Sequence, residues 1–240
     1  MSWKEEHAPI PSAKLTDTIN GIAEELSEFS CVRYLDDLQL SDGLLSGAIK
    51  SAAVIACSDM GLSVPYVCSS ANVKLFLFQN FGHDFAAGGF VETLVGQGVE
   101  DVVVYGHSPC KYTKFRARTA IDQSTRDSQL CESRDRLELY SVALDSQCET
   151  VWSDVGRFNV LFEMKRLLAD PTISPIAAQG RLKVHGWFYE SGENQLEVFD
   201  PMNRAFMRQQ LKLPDSITVK FAPHETLDPA EEADIFPAEY

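Results

Sequence analysis

The 240 residues carry 21 Lys and Arg against 35 Asp and Glu, a formal net charge of −14 that repels phosphate backbones and anionic lipid surfaces at long range. Apolar residues make up 45% and charged residues 23%, a globular composition whose length fits one α/β domain. The chain has no bilayer-spanning apolar run, and MSWKEEHAPIPSAK lacks a signal-peptide core, so nucleic acid and membrane are excluded as partners and a cytoplasmic protein is expected.

Residues 14–29, KLTDTINGIAEELSEF, set Leu15, Ile19, Ile22, Ala23, Leu26 and Phe29 three and four apart. That spacing predicts an amphipathic helix within an N-terminal helical arm over 1–50. Segment 33–50 is weaker and predicts one short helix. The runs AAVIA (52–56), VKLFLF (73–78) and VEDVVVY (99–105) predict buried strands. Between the second and third, FAAGGFVETLVGQG ends on a glycine suited to a helix C-cap, which makes a βαβ unit. RARTAIDQSTRDSQLCESRDR is polar without clear period and predicts a surface excursion. Helices over about 135–150 and 154–169 follow, and RLKVHGWFYE and LEVFD then flank a turn-like SGENQ, as in a hairpin. Alternating strands and helices predict an α/β fold with a mostly parallel sheet and a ligand site at the carboxyl ends of its strands. HETLDPAEEADIFPAEY holds six acids and no Lys or Arg; it reads as part of a solvated acidic tail over 211–240, beyond a domain over 51–210.

Six cysteines in a chain this long (Cys31, Cys57, Cys68, Cys110, Cys131, Cys148) are thiols or ligands in a reducing compartment, not a disulfide scaffold. Two have telling neighbours. Cys57 ends the first strand in CSDMG, and His107 and Cys110 follow the third in GHSPCK, with Cys110 in the turn expected to start the next helix. If those strands are neighbours, two thiolates and one imidazole converge on a single ion, an ordinary zinc donor set. Spacing alone leaves core or turn chemistry open as the alternative.

In order along the chain, CSDMG, QNFGH, GHSPCK and HGWFY resemble the motifs CxDxR, RNAGN, GHSxCG and HGWxY of the beta-class carbonic anhydrases, over about residues 50–200. The resemblance implies a parallel four-stranded core sheet with an added edge strand, flanked by helices. It implies Zn2+ held by Cys57, His107 and Cys110, and reversible hydration of carbon dioxide to bicarbonate by zinc hydroxide. It also implies a homodimer or an assembly of dimers. Asp59 matches the family's acid beside the metal, which accepts the hydroxide's hydrogen bond.

Four residues depart from those motifs. Gly61 replaces the arginine of CxDxR, Gln79 that of RNAGN, His83 its last asparagine, and Lys111 the glycine after the ligand cysteine. In the family the first arginine pairs with the aspartate and holds it off the metal. With Gly61 there, two forms stay open. In one, Asp59 closes the zinc as a fourth ligand, and the protein is an inactive zinc-binding homologue with a structural or regulatory role. In the other, Lys111 supplies a cation to Asp59, with Arg116 and Arg118 as further candidates, and the site stays open. A zinc hydrolase acting on another small linear electrophile is a third possibility.

His83 is a candidate proton shuttle or a solvent-facing turn residue. Gln79 argues against a bicarbonate pocket of the kind that the family's arginine helps form. Val64, Tyr66 and Val67 line a pocket or pack a loop. His185 and Trp187 are expected in the core, and Cys31, Cys68, Cys131 and Cys148 as small buried thiols.

Overall fold

Two adjacent strands, β1 (Ser51–Cys57) and β3 (Asp101–Ser108), are buried at every position, as uninterrupted apolar runs require when both faces of a parallel sheet are covered. This computed structural model describes residues 12–60, 74–80, 89–124, 134–146 and 148–209. The two strands pair in parallel, Ala52 opposite Asp101 through Ala56 opposite Tyr105. On their outer flanks, β2 (Lys74–Asn80) pairs in parallel with β1, and β4 (Lys183–Glu190) with β3. This is the expected four-stranded parallel core. The hairpin partner β5 (Gln195–Asp200) adds antiparallel to β4, and β6 (Ala205–Arg208) adds antiparallel to β5. Two strands therefore extend that edge where the sequence predicts one; the four residues AFMR, all exposed except half-buried Phe206, are too short to show a period.

Alternate residues of the core strands serve opposite faces. Ala53, Ile55, Val102 and Val104 join the larger core, under α1 (Ser12–Ser27) and α6 (Glu149–Ala169), whereas Ala52, Val54, Ala56, Val103 and Tyr105 join the smaller one, with α2 (Asp37–Ser46). Helix α1 buries Leu15, Ile22, Ala23 and Leu26, but Phe29 lies beyond its end and is 43% exposed. Helix α2 starts on a capping box between Asp36 and Gln39 and stops at Gly47, whose φ of 78° suits glycine.

After α3 (Phe90–Gly96) comes one correction to the sequence reading. The helix expected to start after Cys110, α4 (Lys111–Ser124), continues through the first half of the polar stretch expected as an excursion. Its buried residues Thr113, Ala117 and Ala120 are small, so the stripe that packs it carries little hydrophobic signal. Helices α5 (Arg134–Ser146) and α6 lie where two were expected, and the five-residue α7 (Ser174–Ala178) follows.

His185 and Trp187 are buried, as expected, and also tie residues 31–35 to the sheet. The ring nitrogens of His185 lie 2.7 Å from the Arg33 carbonyl and 2.9 Å from Oδ1 of Asp101, and Trp187 Nε1 donates to the Leu35 carbonyl at 2.7 Å. Among the described residues no helix is long and apolar enough to cross a membrane.

Candidate metal centre

Because β1 and β3 are parallel neighbours, their carboxyl ends coincide, and they bring Cys57 beside His107. Cys110, two residues past β3, immediately precedes α4. The donor atoms of Cys57, His107 and Cys110 all lie within 4.8 Å of one another, and all three residues are buried. The two Sγ atoms are 3.8 Å apart. Two thiolates bound to a tetrahedral zinc at about 2.3 Å are themselves separated by about 3.8 Å. Nε2 of His107 is buried with no hydrogen-bond partner among the described residues, an arrangement that is costly unless something electrophilic meets it. Donor type, sulfur spacing and the orphaned nitrogen all fit zinc.

The electrostatics favour the same ion. Contact with Cys57 is the main influence lowering the Cys110 thiol well below the ordinary thiol range; burial opposes it, and His107 and Thr113 assist. The Thr113 N–H donates to Cys110 Sγ at 3.3 Å, the position of an N-cap bond, so the first turn of α4 stabilises a thiolate.

Asp59 lies two residues beyond β1 and outside the three-donor group. Its Oδ2 accepts a hydrogen bond from the main-chain N–H of Lys111 at 2.7 Å. Lys111 is the first residue of α4, and its side chain is exposed. What it gives Asp59 is thus an amide donor that a helix start leaves unsatisfied, whereas the sequence reading looked to its ammonium group. Arg116 and Arg118 are carried further along α4, half-buried and exposed respectively. Asp59, Lys111, Tyr112 and Phe115 line a cleft of about 420 Å³, with Phe115 64% exposed. Sequence reasoning missed half-buried Tyr112 and exposed Phe115, whose only signal is that they are aromatics among polar neighbours. Gln79 is exposed near the end of β2. Gly61, Val64, Tyr66, Val67, Cys68, His83 and Cys131 lie outside the described residues. Cys31 is buried as expected, but Cys148 is exposed at the N-cap position of α6, where its sulfur lies 3.0 Å from the Thr150 hydroxyl and makes no bond to the helix cap.

The family model described as carbonic anhydrase matches residues 52–196, which include all three donors. The chain is 27% identical over 180 residues to a carbonic anhydrase of Pseudomonas aeruginosa, covering 70% of this chain and 82% of that one. To a carbonic anhydrase of Synechococcus elongatus it is 27% identical over 190 residues, covering 72% and 69%. The solved beta-carbonic anhydrase CcaA shares the fold, with a TM-score of 0.51 at 22% identity over 72% of this chain and 90% of that one. With more than half of its length matched, and with the two thiolates and imidazole gathered at the strand ends, the chain belongs to the beta-class carbonic anhydrase family.

Proposed function

We propose that the protein is a zinc enzyme that reversibly hydrates carbon dioxide to bicarbonate. The observation that carries this reading is the position of Asp59, held by the Lys111 N–H and lying outside the group of Cys57, His107 and Cys110. Three protein ligands are the number that leaves a catalytic zinc one position for solvent. Zinc, when bound, supplies Lewis acidity that brings the pKa of water toward neutrality.

The chain's own groups do the rest. Cys57 and Cys110 act as thiolate ligands and His107 as a neutral one. Asp59, anchored through one oxygen, orients the attacking water by accepting its hydrogen bond through the other. Tyr112 and Phe115 give uncharged carbon dioxide a partly apolar approach. His83 is assigned the proton shuttle on its type alone, and a homodimer follows from the family resemblance.

Stopped-flow hydration at about pH 7 and about pH 8.5, on protein of known zinc content, tests the reading. Turnover with zinc bound supports it, and no turnover at full zinc content refutes it. Gly61 in place of the family's arginine favours a second reading, in which Asp59 moves onto the zinc and the protein is a structural or regulatory zinc binder. Full zinc content without turnover identifies that form.

A further inference from the structure

The residue after the ligand His107 is gripped at both of its polar ends. Ser108 is buried, its Oγ donates to Oε1 of Glu190, and its carbonyl accepts from the hydroxyl and, at 3.3 Å, the N–H of Ser191. Ser108 and Glu190 are register partners at the carboxyl ends of β3 and β4. Glu190 is in turn held from α6, where Arg157 Nη2 stands 3.6 Å from its Oε2.

Arg157 does not need Glu190 for its own compensation. Its Nε and Nη2 bond Glu197 at 2.7 and 3.1 Å, its Nη1 bonds Asp154 at 2.9 Å, and its guanidinium carbon sits 4.7 Å from the centre of the Phe188 ring. Those contacts already fix the arginine to a helix and a strand. The third carboxylate reaches the other way, to the serine that adjoins a metal donor.

We propose that Glu190 is a positioning residue for the metal centre: anchored by Arg157, it holds Ser108 and so sets the imidazole of His107 against Cys57 and Cys110. The inference rests on the reading of those three residues as metal ligands. Loss of either partner frees the 107–110 segment from its tie to β4 and lets the imidazole move, and loss of Glu190 also leaves the Ser108 hydroxyl a buried unsatisfied donor.

The experiment uses full-length protein stripped of metal by chelation. It measures zinc affinity by competition with a chromophoric chelator, the visible bands of the cobalt(II) form, and the Tm of the metal-free protein. Glu190→Ala is expected to lose about 10–100-fold in zinc affinity and to shift the cobalt bands, whereas Glu190→Gln, whose amide oxygen still accepts from Ser108, stays within about threefold of the parent. Ser108→Ala leaves the Arg157 ion pairs untouched and is expected to show the same loss, with little further loss in the double variant. Parental affinity and unchanged cobalt bands in Glu190→Ala and Ser108→Ala would overturn the inference, however far either Tm falls. A parent protein that binds no zinc would instead overturn the metal reading itself.

Discussion

Replacing Lys111 by proline removes one hydrogen-bond donor, and by alanine one ammonium group, and the two changes should separate cleanly. Lys111 opens α4, and its N–H meets Oδ2 of Asp59 at 2.7 Å. The first helical position is where proline is best tolerated, because its fixed φ suits the turn and its missing N–H breaks no intrahelical bond. Lys111→Pro should therefore leave α4 folded and take away only the anchor of Asp59. A hydrogen bond to a charged group contributes about 1.5–3 kcal/mol. Asp59 is half-buried, so the low end applies, and about 1.5–2 kcal/mol corresponds to a fall of about 10–30-fold in kcat/KM. Lys111→Ala keeps the N–H and should hold its rate within about twofold of the parent. Both are read by stopped-flow hydration at matched zinc content, with circular dichroism confirming the helix. Equal rates in the two variants would refute the assignment of the amide as the anchor, and a large loss in Lys111→Ala alone would return that role to the side chain.

Other outcomes follow from packing and charge. In Gly156→Ala the new Cβ would lie 2.6 Å from Phe188 Cε2 and 3.6 Å from the His107 carbonyl oxygen. Phe188 is fully buried beneath Arg157, so overpacking at the upper end, about 2–3 kcal/mol, should outweigh a helix-propensity gain of about 1 and lower Tm by about 2–8 °C in thermal melts. Glu163→Ala strands the buried Arg136, which lies 3.3 Å from it. Because Tyr140 and Asn159 still bond that arginine, the loss should sit near the low end, about 3 kcal/mol by urea unfolding. The Thr150 hydroxyl, then the Thr150 and Val151 amides, lower the pKa of exposed Cys148. Its thiolate therefore persists as pH falls below the ordinary thiol range near about 8.5, and iodoacetamide labelling followed against pH should begin earlier than for a free thiol. Thr150→Val should move that onset upward.

The parts of the fold legible in the sequence are those whose burial leaves a periodic or uninterrupted apolar trace. β1 and β3, buried on both faces, could be read directly as AAVIA and VVVY. Helix α1 was legible through a stripe that buries Leu15, Ile22 and Leu26. Of helix α4 only the start after Cys110 was legible, since what the helix buries is Thr113, Ala117 and Ala120, and small residues pack a helix closely without marking its length. β6 is stabilised by pairing with β5 and not by its own four side chains, so it has no local signature. The default of a buried thiol failed at Cys148 because the residue falls just outside α6, at its exposed start, a placement that depends on where that helix begins.

The candidate site divides along the same line. Cys57, His107 and Cys110 could be named from sequence because each stands where an apolar run ends and a turn begins, and strand ends are where an α/β sheet exposes chemistry. That they share one centre depends on β1 and β3 being neighbours, a fact of the sheet order. The partner of Asp59 lay beyond side-chain reasoning altogether. A missing arginine at 61 invites a search for another cation, yet the donor that meets the carboxylate is a peptide N–H that every residue except proline would supply at 111. A helix N-terminus carries both the unsatisfied donors and the positive end of the dipole. It can therefore take over an anion's anchoring without any residue type to announce it, and the identity of residue 111 matters less than the fact that α4 begins there.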